Sequence, residues 1–368
     1  MTPLTGIPSP PLEWASFEVG PLTVHLYALF IVAGMILAVL WTDRRLTARG
    51  GEKWITVDFA IWAVLLGLLG ARLYHVFTHP ADYFFEGANF WRIFFIWEGG
   101  NAIIGSLIGG AIGILIASRM TGIRMLAFSD ALIPGLLLAQ AVGRLGNYFN
   151  HELYGWPTDL PWGLQIEASN PAFPVGLPEG TLFHPTFLYE MLWNLAGIAL
   201  IVLLERMFRW RTGKTLAAYL IWYGTGRIWI ESIRVDYSEV ILGMRSNVFG
   251  ALCLVIVGVA LFIYVSRLPV SQLSTSIYLP GRDPESEAAR AAETAEGAEG
   301  VEADDLDGDD EPDGDDELDG DGSELDAEEE TSAQSSVHDE ETSEAKPNSG
   351  DVENTPDESE EVSTRSKS

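Results

Sequence analysis

Apolar residues gather along the chain in seven stretches of about 20 residues, the length a helix needs to cross the hydrocarbon core of a bilayer. They fall at 22–41, 57–77, 101–118, 126–145, 186–204, 215–230 and 247–265. The pattern predicts an all-α, polytopic membrane protein: seven transmembrane helices in a domain spanning 22–266, preceded by an N-terminal segment, 1–21. The third stretch is rich in glycine (Gly105, Gly109, Gly110, Gly113), which suits close helix packing in lipid. The fourth and sixth each carry an arginine near one end, which blurs their limits. Residues 1–21 contain no Lys or Arg and are broken by Pro3, Pro8, Pro10 and Pro11, so they do not read as a cleaved signal peptide.

The polar connections carry charge unevenly. Arg44, Arg45, Arg49 and Lys53 follow the first stretch, Arg119 and Arg124 the third, and Arg206, Arg209, Arg211 and Lys214 the fifth; Arg267 follows the seventh. The opposite loops hold only Arg92, Arg234 and Arg245. Because basic loops stay in the cytoplasm, the N-terminus is expected outside and the C-terminus inside. Of the two long outer segments, 79–100 is aromatic, including Trp97, too short to span, and suited to the headgroup layer. The other, 147–183, has prolines at 157, 161, 171, 174 and 178 and reads as an irregular, ordered cap outside the membrane.

Composition divides the molecule again. The chain of 368 residues has 52 acidic and 22 basic side chains, a net charge of −30. Residues 1–270 hold 18 acids and 17 bases, whereas 271–368 hold 34 acids and 5 bases. The region 267–368 is therefore expected to be a disordered, acidic cytoplasmic tail, unable to bury enough apolar area to offset chain entropy. Neither part offers the basic surface nucleic acid requires. Spacings such as Asp307-Gly-Asp-Asp resemble part of a calcium loop but lack its closing Glu, so a solvated polyanion is the expected reading. The single cysteine, Cys253, excludes an intrachain disulfide and a thiolate cluster, and is expected to pack as a small apolar side chain.

Ionisable groups inside apolar stretches are functional candidates, since each costs several kcal/mol unless paired or facing a polar cavity. Here they are His25, Asp58, Arg72, Asp130, Arg144, Glu190, Arg227 and Glu231. Asp58, beside a basic loop, fits the inner interface. Arg227 and Glu231 are four apart and share a helix face, as a structural ion pair would. Arg144 lies in Gly143-Arg-Leu-Gly-Asn-Tyr-Phe-Asn-His-Glu-Leu-Tyr-Gly155, which crowds polar groups and tight-turning glycines into one helix end. A guanidinium there offers a planar fork matched to phosphate or carboxylate. These residues point to an anion site at the outer leaflet.

The same stretch closely resembles the signature of the prolipoprotein diacylglyceryl transferase family. Tyr27, Gly99-Gly100, Asp130, Pro134, His184-Pro-Thr-Phe-Leu-Tyr-Glu190 and Gly226-Arg-Ile-Trp-Ile-Glu-Ser-Ile-Arg234 follow in order, so the resemblance covers about 21–265. It implies a bacterial plasma-membrane enzyme that moves the diacylglyceryl group of phosphatidylglycerol onto the lipobox cysteine thiol of a preprolipoprotein, releasing glycerol-1-phosphate. It implies no cofactor and no metal. By motif, Arg144 and Arg227 would hold the lipid phosphate. Asn147, Asn150, Glu152, Gly155 and His184 would shape the substrate site, and Tyr27, Glu190 and Glu231 would support it, with Tyr27 and Glu231 counted among the catalytic set. One departure stands out: Ile104 occupies the place of a family histidine proposed as a base. His25, His75, His151 and His184 are the candidate replacements, unless the arginines alone lower the thiol pKa. An anion transporter or channel, and a related but inactive lipid-binding protein, are the competing readings.

Overall fold

The computed structural model describes residues 6–20, 22–85, 87, 89–96, 99–170, 173–210, 212–236, 238–269 and 276–304. Trp97, Pro171, Arg211, the tail beyond 304 and the calcium-like spacing at 307–310 lie outside the described residues. Seven long helices form where the apolar stretches predict them: α1 (Leu26–Thr47), α2 (Ile55–Thr78), α3 (Ile103–Thr121), α4 (Met125–Phe149), α5 (Thr186–Phe208), α6 (Lys214–Ser232) and α7 (Ser246–Arg267). Six of them, all but α6, are long and apolar enough to cross a membrane. The sixth is 19 residues long and carries Lys214, Arg227 and Glu231, which dilute its apolar character.

The first helix departs most from expectation. Leu22–His25 is not helical but a strand, β2, paired antiparallel with β1 (Ser16–Val19). Gly20, at φ 62°, supplies the left-handed turn between them. The helix therefore starts at Leu26 and runs on to Thr47.

Small residues set the closest helix pairings, α2 with α3, α1 with α4 and α6 with α7. Gly105, Gly109 and Gly113 of α3 sit directly on the backbone of α2 at Gly70, Leu66 and Trp62. Gly34 of α1 lies where a Cβ would stand 3.0 Å from the carbonyl oxygen of Ala139 in α4. Such contacts let backbones approach where lipid supplies no hydrophobic drive between helices. Large apolar side chains such as Leu65, Ile108 and Leu203 are more than half exposed, as a lipid-facing surface requires. Cys253 is exposed too, against the expectation of packing, because it lies on the face of α7 turned away from its neighbours.

At one end of the bundle the basic loops converge. Arg45 of α1 and Arg49 in the turn after it meet Glu205 of α5 at 2.7 and 2.5 Å. The expected disorder from 267 onward does not hold over 276–304. Ile277 and Tyr278 are buried in a cluster with Leu46, Phe59, Ile123 and Phe128. The Arg124 N–H donates to the Ile277 carbonyl and the Leu279 N–H to the Gly122 carbonyl, so this segment straps the α3–α4 turn. Beyond it α8 (Pro284–Asp304) forms, rich in Ala and Glu, both strong helix formers. Composition averages over the tail hid the short apolar run that docks.

At the other end, residues 150–170 and 173–185 form a cap around a two-stranded sheet, β3 (Leu164–Gln165) with β4 (Leu182–Phe183). Tyr154, Leu164, Ile166, Phe183 and Phe187 make its apolar core. The remaining pair, β5 (Val240–Ile241) and β6 (Met244–Arg245), is a hairpin between α6 and α7. The aromatic segment after α2 forms two short 3-10 turns, Pro80–Asp82 and Phe90–Phe94. Arg72 of α2, buried at 3 % exposure, holds it: its guanidinium donates to the carbonyls of Ile93 (2.8 Å), Arg92 (2.5 Å), Gly100 (3.2 Å) and Gly99. Thus the donors of an arginine that lies within an apolar stretch of the sequence are satisfied by backbone oxygens.

Candidate active site

Three helix ends converge beside the cap. Arg144 lies near the C-terminus of α4, Glu190 in the second turn of α5, and Arg227 and Glu231 in the last turns of α6. Glu190 joins the two arginines: its Oε2 meets Arg144 Nε at 2.5 Å, and its Oε1 accepts from Arg227 Nη1 at 3.0 Å. Arg227 Nη2 lies 2.9 Å from Glu231 on the same helix face, as the four-residue spacing predicts.

Glu231 is fully buried and would be untenable unpaired. Besides Arg227 it takes Arg245 through Nε (3.1 Å) and Nη2 (2.9 Å), Arg234 at 3.4 Å, and the amide of Asn247 at 3.0 Å. Arg234 in turn forks onto Asp236 at 2.7 and 2.8 Å. Sequence alone does not place Arg234, Arg245, Asn247 and Asp236 in the site. A weak signal existed, because Arg234 and Arg245 are bases on the base-poor side of the chain.

The stretch after Arg144 folds back over it. Arg144 Nη1 donates to Asn147 Oδ1 at 3.0 Å, Asn147 Nδ2 to Glu152 at 2.9 Å, and Asn150 Nδ2 to the same oxygen at 3.4 Å. His151 and Leu153, on either side of Glu152, have φ of 52° and 60°. Non-glycine residues rarely adopt such angles, and two in three positions mark a backbone held by its surroundings. Gly155 leaves no room for a side chain: a Cβ would stand 2.8 Å from His184 Cβ and from the Ile233 carbonyl oxygen. Its N–H donates to the His184 carbonyl at 2.9 Å. Tyr27 of α1 packs its ring and Cα onto Gly146, two residues after Arg144.

Stacked indoles fix α5 against α6. Trp193 and Trp222 lie 4.2 Å apart, and each donates its Nε1–H to the other's carbonyl at 3.1 Å. Gly226 and Gly197 make the space these rings fill. Glu190 and Arg227 sit on the same two helices close by, so this lock sets their meeting.

The histidines separate. His151 is 1 % exposed, with Nε2 2.6 Å from the Pro10 carbonyl and Nδ1 3.4 Å from Glu167, so it fastens the N-terminal segment to the cap rather than facing the arginines. His75 stacks on His79 and meets the Tyr83 hydroxyl at 3.1 Å, and His25 is exposed ahead of α1. Neither contacts the arginine cluster among the described residues. His184 backs Gly155 and shares a hydrogen bond with the Tyr189 hydroxyl at 3.0 Å. Ile104, half exposed, lines no part of the charged cluster described here.

Arg144 and Arg227 retain capacity for an anion. A guanidinium has five N–H donors in a planar fork. Among the described residues, Arg144 Nη2 and Arg227 Nε carry no hydrogen bond. Two partly exposed cations, fixed by one shared carboxylate, thus keep donors free for an anion.

Apolar helices around such a centre define an integral-membrane enzyme. Comparison with known proteins narrows that class: the family model described as prolipoprotein diacylglyceryl transferase matches residues 15–264. Curated relatives named phosphatidylglycerol–prolipoprotein diacylglyceryl transferase agree. That of Leifsonia xyli subsp. xyli is 54 % identical over 289 residues, covering 76 % of this chain and 86 % of its own. Those of Paenarthrobacter aurescens and Bifidobacterium longum (strain DJO10A) are 46 % and 43 % identical, covering 72 % and 77 % of this chain and 85 % and 90 % of theirs. The chain belongs to the prolipoprotein diacylglyceryl transferase family.

Proposed function

We propose that Arg144 and Arg227 hold the phosphate of phosphatidylglycerol while its diacylglyceryl group passes to the cysteine thiol of a prolipoprotein. The observation that carries this reading is the convergence of both guanidinium groups on Glu190, at 2.5 and 3.0 Å, within a chain of this family. The thiol sulfur attacks the glyceryl carbon bearing the phosphate ester. A carbon–sulfur bond forms, the carbon–oxygen bond breaks, and glycerol-1-phosphate leaves with the electron pair. Charge grows on the departing phosphate, so cations fixed beside it stabilise the transition state more than the bound lipid. A free thiol, with a pKa of about 8.5, gives up its proton more readily beside cations.

Asn147, Asn150, Glu152 and Gly155 border the headgroup, with His184 shaping the wall behind Gly155. Glu231 and Tyr27 hold Arg227 and the end of α4 in place. The seventh crossing is α6, whose charged end lines this site instead of facing lipid. The cluster lies at the outer leaflet, with the N-terminus outside and the C-terminus in the cytoplasm of a bacterial plasma membrane. Support comes from the basic loops, which gather at the opposite end from the arginine cluster, tied there by Arg45, Arg49 and Glu205.

The purified protein in phosphatidylglycerol vesicles should add a diacylglyceryl mass to the cysteine of a lipobox peptide. Arg144→Ala should remove most of that gain while the protein stays folded; full transfer by this variant would remove the assignment. Anion flux through vesicles containing the protein, without peptide labelling, would favour transport.

A further inference from the structure

Asp130 plays no part in the chemistry above, yet it is a carboxylate buried to 4 % exposure inside the bundle. Its two oxygens are taken by backbone N–H groups of another helix: Oδ2 accepts from Gly213 at 2.5 Å and Oδ1 from Leu216 at 2.9 Å. These belong to the N-terminus of α6, whose N-cap residue is Gly213. The first N–H groups of any helix lack partners within it and attract negative charge. Gly213, lacking a side chain and held at φ 93°, cannot supply the cap. A residue of α4, 83 positions away in sequence, supplies it instead.

Helix α4 also carries Arg144, and α6 carries Arg227. From Asp130 to Arg144 is fourteen residues, and from Gly213 to Arg227 is fourteen. Each arm is thus about 21 Å long and close to four helical turns. The two helices run in the same direction, tied at one end by Asp130 and meeting at the other across Glu190. Between the ends, Ile133 and Leu137 pack with Leu216, Tyr219 and Leu220, and Gln140 donates to the Tyr219 hydroxyl at 2.8 Å. A slip of α6 by one residue would shift Arg227 by about 1.5 Å and turn it by about 100°. It would no longer face Glu190.

We infer that Asp130 is a positioning residue for the transfer reaction: by capping α6 from α4, it sets the height and rotation at which Arg227 meets Arg144. This rests on the arginine-pair reading given above. The test uses the full-length protein in phosphatidylglycerol vesicles with a lipobox peptide, comparing Asp130→Ala and Asp130→Asn with wild type. Asp130→Ala should lower kcat/KM for phosphatidylglycerol at least tenfold, with the peptide KM within twofold. Hydrogen exchange should quicken at the amides of 213–217 and 226–231 and stay unchanged in α2 and α3. Asp130→Asn, which keeps an acceptor oxygen for one of the two N–H groups, should fold and recover part of the rate, even where the alanine variant fails to fold. Wild-type kcat/KM in Asp130→Ala, or in Asp130→Asn if alanine does not fold, would overturn the inference. So would a rate loss accompanied by faster exchange throughout the bundle. Arg144→Lys, measured alongside, keeps the Asp130 cap. Undiminished transfer by that variant would sink the arginine-pair reading while leaving the register tie standing.

Discussion

Replacing Glu190 with Gln changes one atom and tests whether a shared carboxylate is what pairs the arginines. In the native site each oxygen accepts from a different guanidinium, at 2.5 Å from Arg144 and 3.0 Å from Arg227. Glutamine keeps one acceptor and turns an NH2 group, a donor only, toward the second guanidinium. One charge-assisted hydrogen bond, about 1.5–3 kcal/mol, is lost, and donor faces donor at a side chain that is only 9 % exposed. The released arginine moves by the order of 1 Å, a displacement that costs about a hundredfold in rate when it misplaces a reacting group. We therefore expect kcat/KM for phosphatidylglycerol to fall roughly a hundred- to a thousandfold, or about 3–4 kcal/mol. The assay is mass-spectrometric detection of the lipidated peptide in vesicles, with circular dichroism to show that the helices persist. Glu190→Asp, one methylene shorter and unable to span both guanidiniums, should fall nearly as far. Wild-type kcat/KM in folded Glu190→Gln would show that the arginines act independently of the carboxylate, and the geometric reasoning would fail.

Other consequences are open to direct measurement. Truncation after residue 304 should leave turnover and melting temperature unchanged, whereas truncation after 270 removes Ile277 and Tyr278 from their cluster and should lower stability by about 1.5–3 kcal/mol per side chain, read as a lower melting temperature. Gly109→Val should drive α3 away from the Leu66 carbonyl of α2 and cause loss of folded protein in detergent, with Gly110→Ala, whose Cβ would meet its nearest neighbour at 3.7 Å, as the tolerant control. Single cysteines placed at Val175 and at Lys53 in a Cys253→Ser background test orientation. Membrane-impermeant maleimide added to whole spheroplasts should label the first and spare the second; the reverse pattern would invert the topology.

Much of this molecule was legible because lipid imposes a strong rule on sequence. Helix positions followed from apolar length, and the Arg144 and Arg227 cluster followed from charges that lipid would not tolerate unpaired. What escaped depended on distant partners. Leu22–His25 is as apolar as a helix start, and only pairing with Ser16–Val19 makes it a strand. Ile277 and Tyr278 sit in a segment whose average composition is acidic, and two side chains docking on a preformed cluster leave no periodic trace. Arg72 appeared as a bare charge because its acceptors are carbonyls, which sequence does not display. Arg245 reaches Glu231 only because the β5–β6 hairpin turns the chain back. His151, inside the signature, looked like chemistry and proved to be an anchor for Pro10.

The claim that both guanidiniums act on one leaving phosphate is tested most directly by a double-mutant cycle of Arg144→Ala and Arg227→Ala on kcat/KM for diacylglyceryl transfer. Each single variant should lose most activity, and the double variant should lose much less than the product of the two, because the pair shares one carboxylate and one substrate group. Wild-type transfer by either single variant, or losses that multiply, would contradict the account.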